Sequence, residues 1–139
     1  MAVRSLSVAL AFTATLATCL PSTAIAQAAP YPSAKPIRLL VGFAPGGAAD
    51  TVARALSDAM GKSIGQSIVV ENKPGAGSSV AAEMAAKSPA DGYTVLIASP
   101  SSISVNPALN PKLGYRFSDL QPLLKITSSP LVIAAHPGT

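Results

Sequence analysis

The chain has 139 residues, of which 49% are hydrophobic, and carries a formal net charge of +4. This length allows about one domain. The basic residues are scattered and do not alternate with aromatic residues, so the composition argues against a nucleic-acid-binding protein.

Residues 1–26 have the pattern of a secretory signal peptide. Arg4 provides the positive charge, residues 6–20 are apolar and uncharged, and residues 24–26 have the A-x-A form of a cleavage site. Cleavage after Ala28 also matches this form. The apolar stretch is shorter than the roughly 20 residues of a membrane span. We therefore expect an exported protein whose signal peptide is cleaved near Ala26.

The only cysteine, Cys19, lies inside this segment. The residues before it weakly resemble a lipoprotein processing site, but Thr18 is unfavourable next to a modified cysteine, so we do not expect lipid anchoring at Cys19. If Cys19 leaves with the signal peptide, the exported part has no disulfide and no thiolate metal site.

The next part of the chain alternates between strand and helix patterns. After an extended lead-in over residues 27–35, we predict strands over 37–43, 68–70 and 93–98, and helices over 50–65 and 80–87. Asp50 is the expected N-cap of the first helix, and Gly61 or Gly65 is expected to end it. This alternation predicts an α/β fold with a parallel sheet flanked by helices.

The pattern is looser after Ser102. We expect turns at Asn106-Pro107 and Asn110-Pro111, one helical turn within residues 115–120, and strands over 123–126 and 131–135. The sequence stops directly after the last of these predicted strands, so we expect a partial chain.

The most informative segment joins the first strand to the first helix. Unpaired N–H groups and the positive end of the helix dipole make a helix start suitable for binding an anion, and glycines let the anion approach the backbone. The alternative is a tight connection that binds nothing. The candidate binding residues in this segment are Phe43, Ala44, Pro45, Gly46, Gly47, Ala48, Ala49 and Asp50.

Two further segments are expected at the same edge of the sheet. Residues 73–79 and 99–102 follow the second and third strands, and ligands of parallel α/β sheets gather beyond the carboxyl ends of the strands. From these segments we add Gly77, Ser78 and Ser99 to the candidate binding residues. Each serine side chain has an alternative role in capping a helix.

Asp50 also has two interpretations. We favour an N-cap that contacts Arg54 one turn later over a polar contact with the ligand. Since a carboxylate repels an anion, we expect Asp50 to organise the turn if it contributes to binding.

No residues suggest catalysis, a metal site or a cofactor. The single histidine, His136, lies near the end of the chain, and neither a G-x-S-x-G nor a Walker A motif is present. In the second glycine turn, Val80 replaces the third glycine of a dinucleotide fingerprint. The acidic residues are dispersed, so the sequence predicts a binding protein and not an enzyme.

Several ordered motifs resemble the substrate-binding proteins of tripartite tricarboxylate transporters, the Bug family. They are YP…KPIRLLV from Tyr31, FAPGGAAD with the following AR from Phe43, VVENKPGAG from Val69, DGYT from Asp91 and Asn106-Pro107. The likeness covers nearly all of residues 31–139.

This resemblance implies a type II, Venus-flytrap periplasmic binding protein that holds a small carboxylate between two lobes. It also implies delivery of that ligand to the membrane components of the transporter. In the family, the loop matching residues 43–50 is one of two that grip a ligand carboxylate, largely through backbone groups and water. Because family members are longer, we expect residues 36–130 to form the N-terminal lobe and residues 131–139 to begin the crossover to an absent second lobe.

Two other functions remain open from the sequence. An exported α/β enzyme acting on a small acid would carry its catalytic residues in the missing C-terminal half. An interaction protein would use the glycine turns only as structure.

Overall fold

The structure is a computed structural model that describes residues 30–128, 133–136 and 138. The expected signal peptide, its cleavage site near Ala26 and Cys19 lie outside these residues. Within the described ranges, no helix combines the length and apolar character needed to cross a bilayer.

Three parallel strands form the sheet: β1 (Ile37–Val41), β2 (Ile68–Asn72) and β3 (Thr94–Ile97). Their order is β2-β1-β3, so β1 is the central strand. The register pairs Val41, the last residue of β1, with Asn72 on one side and Ile97 on the other. All three strands therefore end at the same edge of the sheet.

Helices connect the strands and follow the last one. They are α1 (Ala48–Ile64), α2 (Ser79–Ala86) and α3 (Asn106–Leu109), with 3-10 turns at Ala76–Ser78 and Phe117–Asp119 and a π-helical segment at Ser101–Val105. Helix α1 ends as predicted at Gly65, which has a left-handed conformation and donates its N–H to the Gly61 carbonyl.

The core lies on both faces of β1. Leu39 and Val41 pack with Ala53 of α1 on one face, and the alternation of side chains turns Leu40, which is fully buried, to the other. Helix α2 buries Ala81 and Ala82 and contacts β1 and β3. Helix α1 joins β1 to β2, and α2 joins β2 back across β1 to β3. Right-handed crossovers that run in these opposite directions place α1 and α2 on opposite faces of the sheet. The predicted α/β fold with a parallel sheet is confirmed.

The segment after β3 differs from the prediction. Asn106-Pro107 begins α3 instead of forming a turn, because proline is tolerated in the first turn of a helix. Residues 123–126 and 133–135 are not in strands, and Leu123 is 74% exposed. No neighbouring strand pairs with them in the described part of the chain. Leu131 and Val132 of the last predicted strand lie outside that part.

The described part of the lead-in is not extended. Residues 31–35 form a turn in which the Ser33 N–H donates to the Pro30 carbonyl at 2.8 Å. The Tyr31 ring packs edge-on against the buried Tyr93, with the ring centroids 5.2 Å apart. This aromatic contact holds the turn against the start of β3. The helical turn predicted within residues 115–120 is found as a 3-10 turn at Phe117–Asp119.

Gly42, directly after β1, provides a test of the packing. A Cβ added there would lie 1.7 Å from Ser78 Oγ and 2.8 Å from Ser78 Cα, so Gly42→Ala forces the backbone to move. We expect a loss of about 1–3 kcal/mol in the free energy of unfolding, the usual cost of overpacking, measured by urea denaturation.

Gly47→Ala is the matched control for Gly42→Ala. The nearest atom to an added Cβ at Gly47 is the Ala44 carbonyl oxygen at 3.6 Å, and its φ of −81° suits any residue, so Gly47→Ala introduces no overpacking. Its loss of stability should be limited to the cost of replacing glycine by alanine at a helix N-cap, about 1 kcal/mol or less. Equal stability of the two variants would contradict the close contact between Gly42 and Ser78.

Candidate functional site

The turn between β1 and α1 lies on the surface. Residues 43–48 are exposed and Ala49 is half-buried. Gly46 has a φ of +84° after Pro45, the residue pair typical of a type II turn. Helix α1 begins at Ala48, and its N-cap, Gly47, makes no side-chain capping hydrogen bond. The first N–H groups of α1 are therefore at an exposed helix start without a side-chain cap.

Asp50 is not the N-cap, so that prediction is wrong. Gly47 already has the extended conformation of an N-cap (φ −81°, ψ 175°), which makes Asp50 the third residue of the helix. Its carboxylate reaches back and Oδ2 accepts the Gly46 N–H at 2.9 Å. This geometry is related to that of a capping box, in which the acidic residue at the third position accepts a backbone N–H before the helix.

Two side chains hold the other lone pairs of the Asp50 carboxylate. Arg54 Nε donates to Oδ2 at 2.9 Å, which confirms the predicted contact one turn later, and Asn72 Nδ2 donates to Oδ1 at 3.0 Å. The Asp50 side chain is only 5% exposed, whereas that of Arg54 is 57% exposed. The carboxylate is thus enclosed by donors, and the balancing positive charge is in contact with solvent.

These donors act on the ionisation of Asp50. The hydrogen bond from Arg54, followed by those from the Gly46 N–H and the Asn72 amide, holds the pKa of this carboxyl well below its usual range. Asp50 is therefore charged at every physiological pH, and its oxygens are already occupied by protein donors.

Asn72 is a residue that the sequence analysis did not place in the site. It ends β2, and its Nδ2 also donates to the Phe43 carbonyl at 3.1 Å. Arg54 Nη2 lies 3.5 Å from Asn72 Oδ1. The alternation of side chains along β2 could have placed Asn72 there, because Ile68, Val70 and Asn72 share the face that packs against α1.

The second predicted segment is a tight turn with three left-handed residues, Ala76, Gly77 and Ser78. The Ser79 N–H donates to the Ala76 carbonyl and is already used within the turn. Gly77 is exposed. Ser78 is 1% exposed and faces Gly42, and its Oγ has no hydrogen-bond partner among the described residues. The Ser78 hydroxyl is thus shielded from solvent.

The third predicted segment begins with Ser99, which is half-buried. Ser99 Oγ accepts the Ser102 N–H at 3.3 Å, and Ser102 Oγ accepts the Ser99 N–H at 3.1 Å. This reciprocal pair is the capping arrangement that the sequence analysis gave as the alternative role of Ser99.

Asn106 and Tyr115 connect the second and third segments. Asn106 Nδ2 donates to the Ala76 carbonyl at 2.9 Å and to Ser79 Oγ at 2.7 Å. The buried Tyr115 hydroxyl donates to the Ser102 carbonyl at 2.5 Å, and its oxygen lies 3.3 Å from Ser79 Oγ. Gly42, the residue before the first segment, packs against Ser78 of the second. All three segments thus form one connected surface at the carboxyl edge of the sheet.

A shallow depression of about 400 Å³ lies elsewhere, along α1 and β2. Its lining residues are Arg54, Ala55, Ser57, Asp58, Ile68 and Val70. It includes none of the predicted binding residues. In the described ranges no three or more His, Cys, Asp or Glu side chains are grouped as metal ligands.

Residues 52–139 match the tripartite tricarboxylate transporter family receptor. The chain belongs to this family. A UPF0065 protein of Bordetella pertussis is 41% identical over 112 residues, which are 81% of this chain and 34% of that protein. The chain thus spans about a third of the length of the curated relatives that it matches.

Solved structures of similar proteins agree with the family. A periplasmic transporter is 49% identical (TM-score 0.60, 63% of this chain and 29% of that one). MatC from Rhodopseudomonas palustris with bound malate is 39% identical (TM-score 0.56, 60% and 29%). An R. palustris protein with adipate is 30% identical (TM-score 0.55, 64% and 29%). The receptor family therefore has the periplasmic-binding-protein-like fold class predicted from the sequence.

The Asp50 cluster predicts how stability depends on pH. A pKa that is lowered by folding contributes stability above the unfolded value of about 3.9. This contribution is lost as the pH falls toward the folded value. Asp50→Asn should therefore lower the urea midpoint at pH 7 and at pH 5, and the difference from wild type should narrow by pH 3. Wild type must be measured at the same pH values, because folding also lowers the pKa of Glu71, Asp91 and Asp119. These groups make the stability of both proteins depend on pH. A difference that stays constant down to pH 3 would contradict the role of the ionised Asp50.

Proposed function

We propose that this chain is the carboxylate-binding N-terminal lobe of a periplasmic solute-binding protein. It captures a small organic acid, of the di- or tricarboxylate class, for the membrane components of a tripartite tricarboxylate-type transporter. It binds its ligand and catalyses no reaction on it. Residues 36–130 correspond to this lobe, and residues 131–139 to the start of a crossover.

The observation that carries the proposal is the exposed start of α1. Asp50 already accepts the Gly46 N–H, which leaves the N–H groups of Gly47, Ala48 and Ala49 as the binding groups at the positive end of a long helix. Helix starts of this kind bind carboxylates and phosphates. Phe43 and Pro45 are exposed next to them and provide apolar contacts for the carbon chain of an organic acid.

The bound ligands of the similar structures support the carboxylate class. Malate and adipate differ in chain length and in a hydroxyl group, and they share the terminal carboxylate. A backbone site at a helix start recognises that shared group, while the rest of the ligand determines specificity elsewhere.

The second and third segments make a smaller contribution to the proposed binding surface than the first turn does. Gly77 is an exposed residue of the second turn, and Ser99 follows the end of the third strand. The Ser78 hydroxyl would have to leave its contact with Gly42 to reach a ligand. We therefore assign Ser78 a packing role between the two turns.

Export to the periplasm follows from the signal pattern in residues 1–26, with cleavage near Ala26. The family description as a transporter receptor and the periplasmic neighbour support this localisation and a transporter partner. Mass spectrometry of the protein from the periplasmic fraction tests the cleavage position.

Calorimetric titration of the chain with malate tests the binding site. Gly47→Val should weaken binding more than Asp50→Asn does, because the valine methyl groups block approach to the N–H groups at the helix start. An added Cβ at Gly47 meets only the Ala44 carbonyl oxygen at 3.6 Å, so the substitution is compatible with the fold. We expect the dissociation constant to rise at least about tenfold, which corresponds to about 1.4 kcal/mol.

Ala59→Val is the control for Gly47→Val, since Ala59 is an exposed residue of the same helix about three turns away. Its affinity for malate should equal that of wild type. Equal affinities of wild type and Gly47→Val would contradict the proposed site. Absence of malate and adipate binding by the wild-type chain would contradict the proposed function of this chain.

A further inference from the structure

Asn72 is the only residue of β2 whose side chain bonds to the turn after β1. Its Nδ2 donates both to the Phe43 carbonyl, at the start of the turn, and to Asp50 Oδ1, at its end. The Asp50 carboxylate in turn accepts the Gly46 N–H in the middle of the turn. One amide nitrogen therefore connects three points of the turn to the neighbouring strand.

The position of Asn72 is fixed by the sheet. It pairs with Val41 in the parallel register, and the next residue of the chain, Lys73, donates its N–H to the Val41 carbonyl at 2.7 Å. The side chain lies on the α1 face, where Asp50 and Arg54 are the charged groups that contact it. Glu71, on the opposite face, pairs with Arg38 at 2.7 Å and with Lys73 at 3.5 Å.

We infer that Asn72 is a positioning residue for the candidate binding turn: it ties Phe43 and Asp50 to the end of β2 and thereby fixes the backbone that presents the N–H groups of Gly47 to Ala49. This inference rests on the proposed function for its effect on affinity. Its effect on the turn itself is independent of any ligand.

An asparagine is suited to this role because the amide is a neutral donor. Two acceptors, a carbonyl and a carboxylate, converge on Nδ2, so an acceptor at this place is repelled by both. Asn72→Asp keeps the shape of the side chain and exchanges the donor for an oxygen. The new carboxylate faces that of Asp50, with the Arg54 guanidinium as the nearest cation.

The first measurement is the solvent-exchange rate of the Gly46 amide by NMR. Asn72→Asp should accelerate this exchange about tenfold at pH 7.5, because Asp50 loses one of its donors and its hydrogen bond to Gly46 loosens. The Gly65 amide, which donates to the Gly61 carbonyl at the other end of α1, is the internal reference and should not change.

The second measurement is malate affinity as a function of pH. Asn72→Asp should raise the dissociation constant about tenfold at pH 7.5, and the ratio to wild type should fall toward one as the pH falls to 4.5. Protonation of one of the facing carboxyls restores an O–H donor. The hydroxyl introduced by Asn72→Ser does not titrate, so the loss of affinity in this variant should not depend on pH.

Asn110→Asp is the matched control. Asn110 is exposed, and its side chain accepts the Lys112 N–H at 3.0 Å, away from the turn. It should match wild type in both measurements. Urea denaturation of each variant establishes that the titrated protein is folded at each pH.

The outcomes separate the two hypotheses. If wild type binds malate and Asn72→Asp leaves both the Gly46 exchange rate and the affinity unchanged, the inference is overturned and the proposed function stands. If wild type binds no carboxylate but Asn72→Asp accelerates Gly46 exchange, the proposed function fails and Asn72 still positions the turn. A loss of affinity with no pH dependence in Asn72→Asp would contradict the donor role of the amide.

Discussion

The site depends on the hydrogen bond between the Asp50 carboxylate and the Gly46 N–H. This bond folds the turn back onto the first turn of α1 and uses the N–H of the residue before the N-cap. The same carboxylate is held by Arg54 and Asn72, so a helix and a strand both fix the turn. A surface loop with two successive glycines would otherwise lose considerable backbone entropy on binding a ligand.

This arrangement also explains how the Asp50 carboxylate can lie close to the proposed site for an anionic ligand. A buried carboxylate next to the proposed anion site would disfavour the ligand, but both its oxygens accept hydrogen bonds from protein donors and the exposed guanidinium of Arg54 balances its charge. In the proposed site, the N–H groups at the start of α1 then remain the groups for an anion to contact. The central strand makes this possible, because its last residue pairs with Asn72 and brings the second strand end to the turn.

The sequence predicted those parts of the fold that depend on local pattern. The alternation of apolar strands with amphipathic helices indicated the parallel sheet, and Pro45-Gly46-Gly47 indicated the turn after β1. The N-cap was misplaced by three residues, because Gly47 provides N-cap geometry by its backbone alone. Short apolar runs such as residues 123–126 carry no information on whether a partner strand exists. Asn72, Asn106 and Tyr115 act across long sequence separations, which no local pattern encodes.

The central claim is that the N–H groups of Gly47, Ala48 and Ala49 bind the ligand carboxylate. Its most direct test is an NMR titration of the ¹⁵N-labelled chain with malate, with the backbone amides assigned. The account predicts that these three amides shift downfield together and saturate with one dissociation constant, while the Gly65 amide at the opposite end of α1 stays in place. Saturable shifts that are confined to other residues, such as those along the α1–β2 depression, would contradict it.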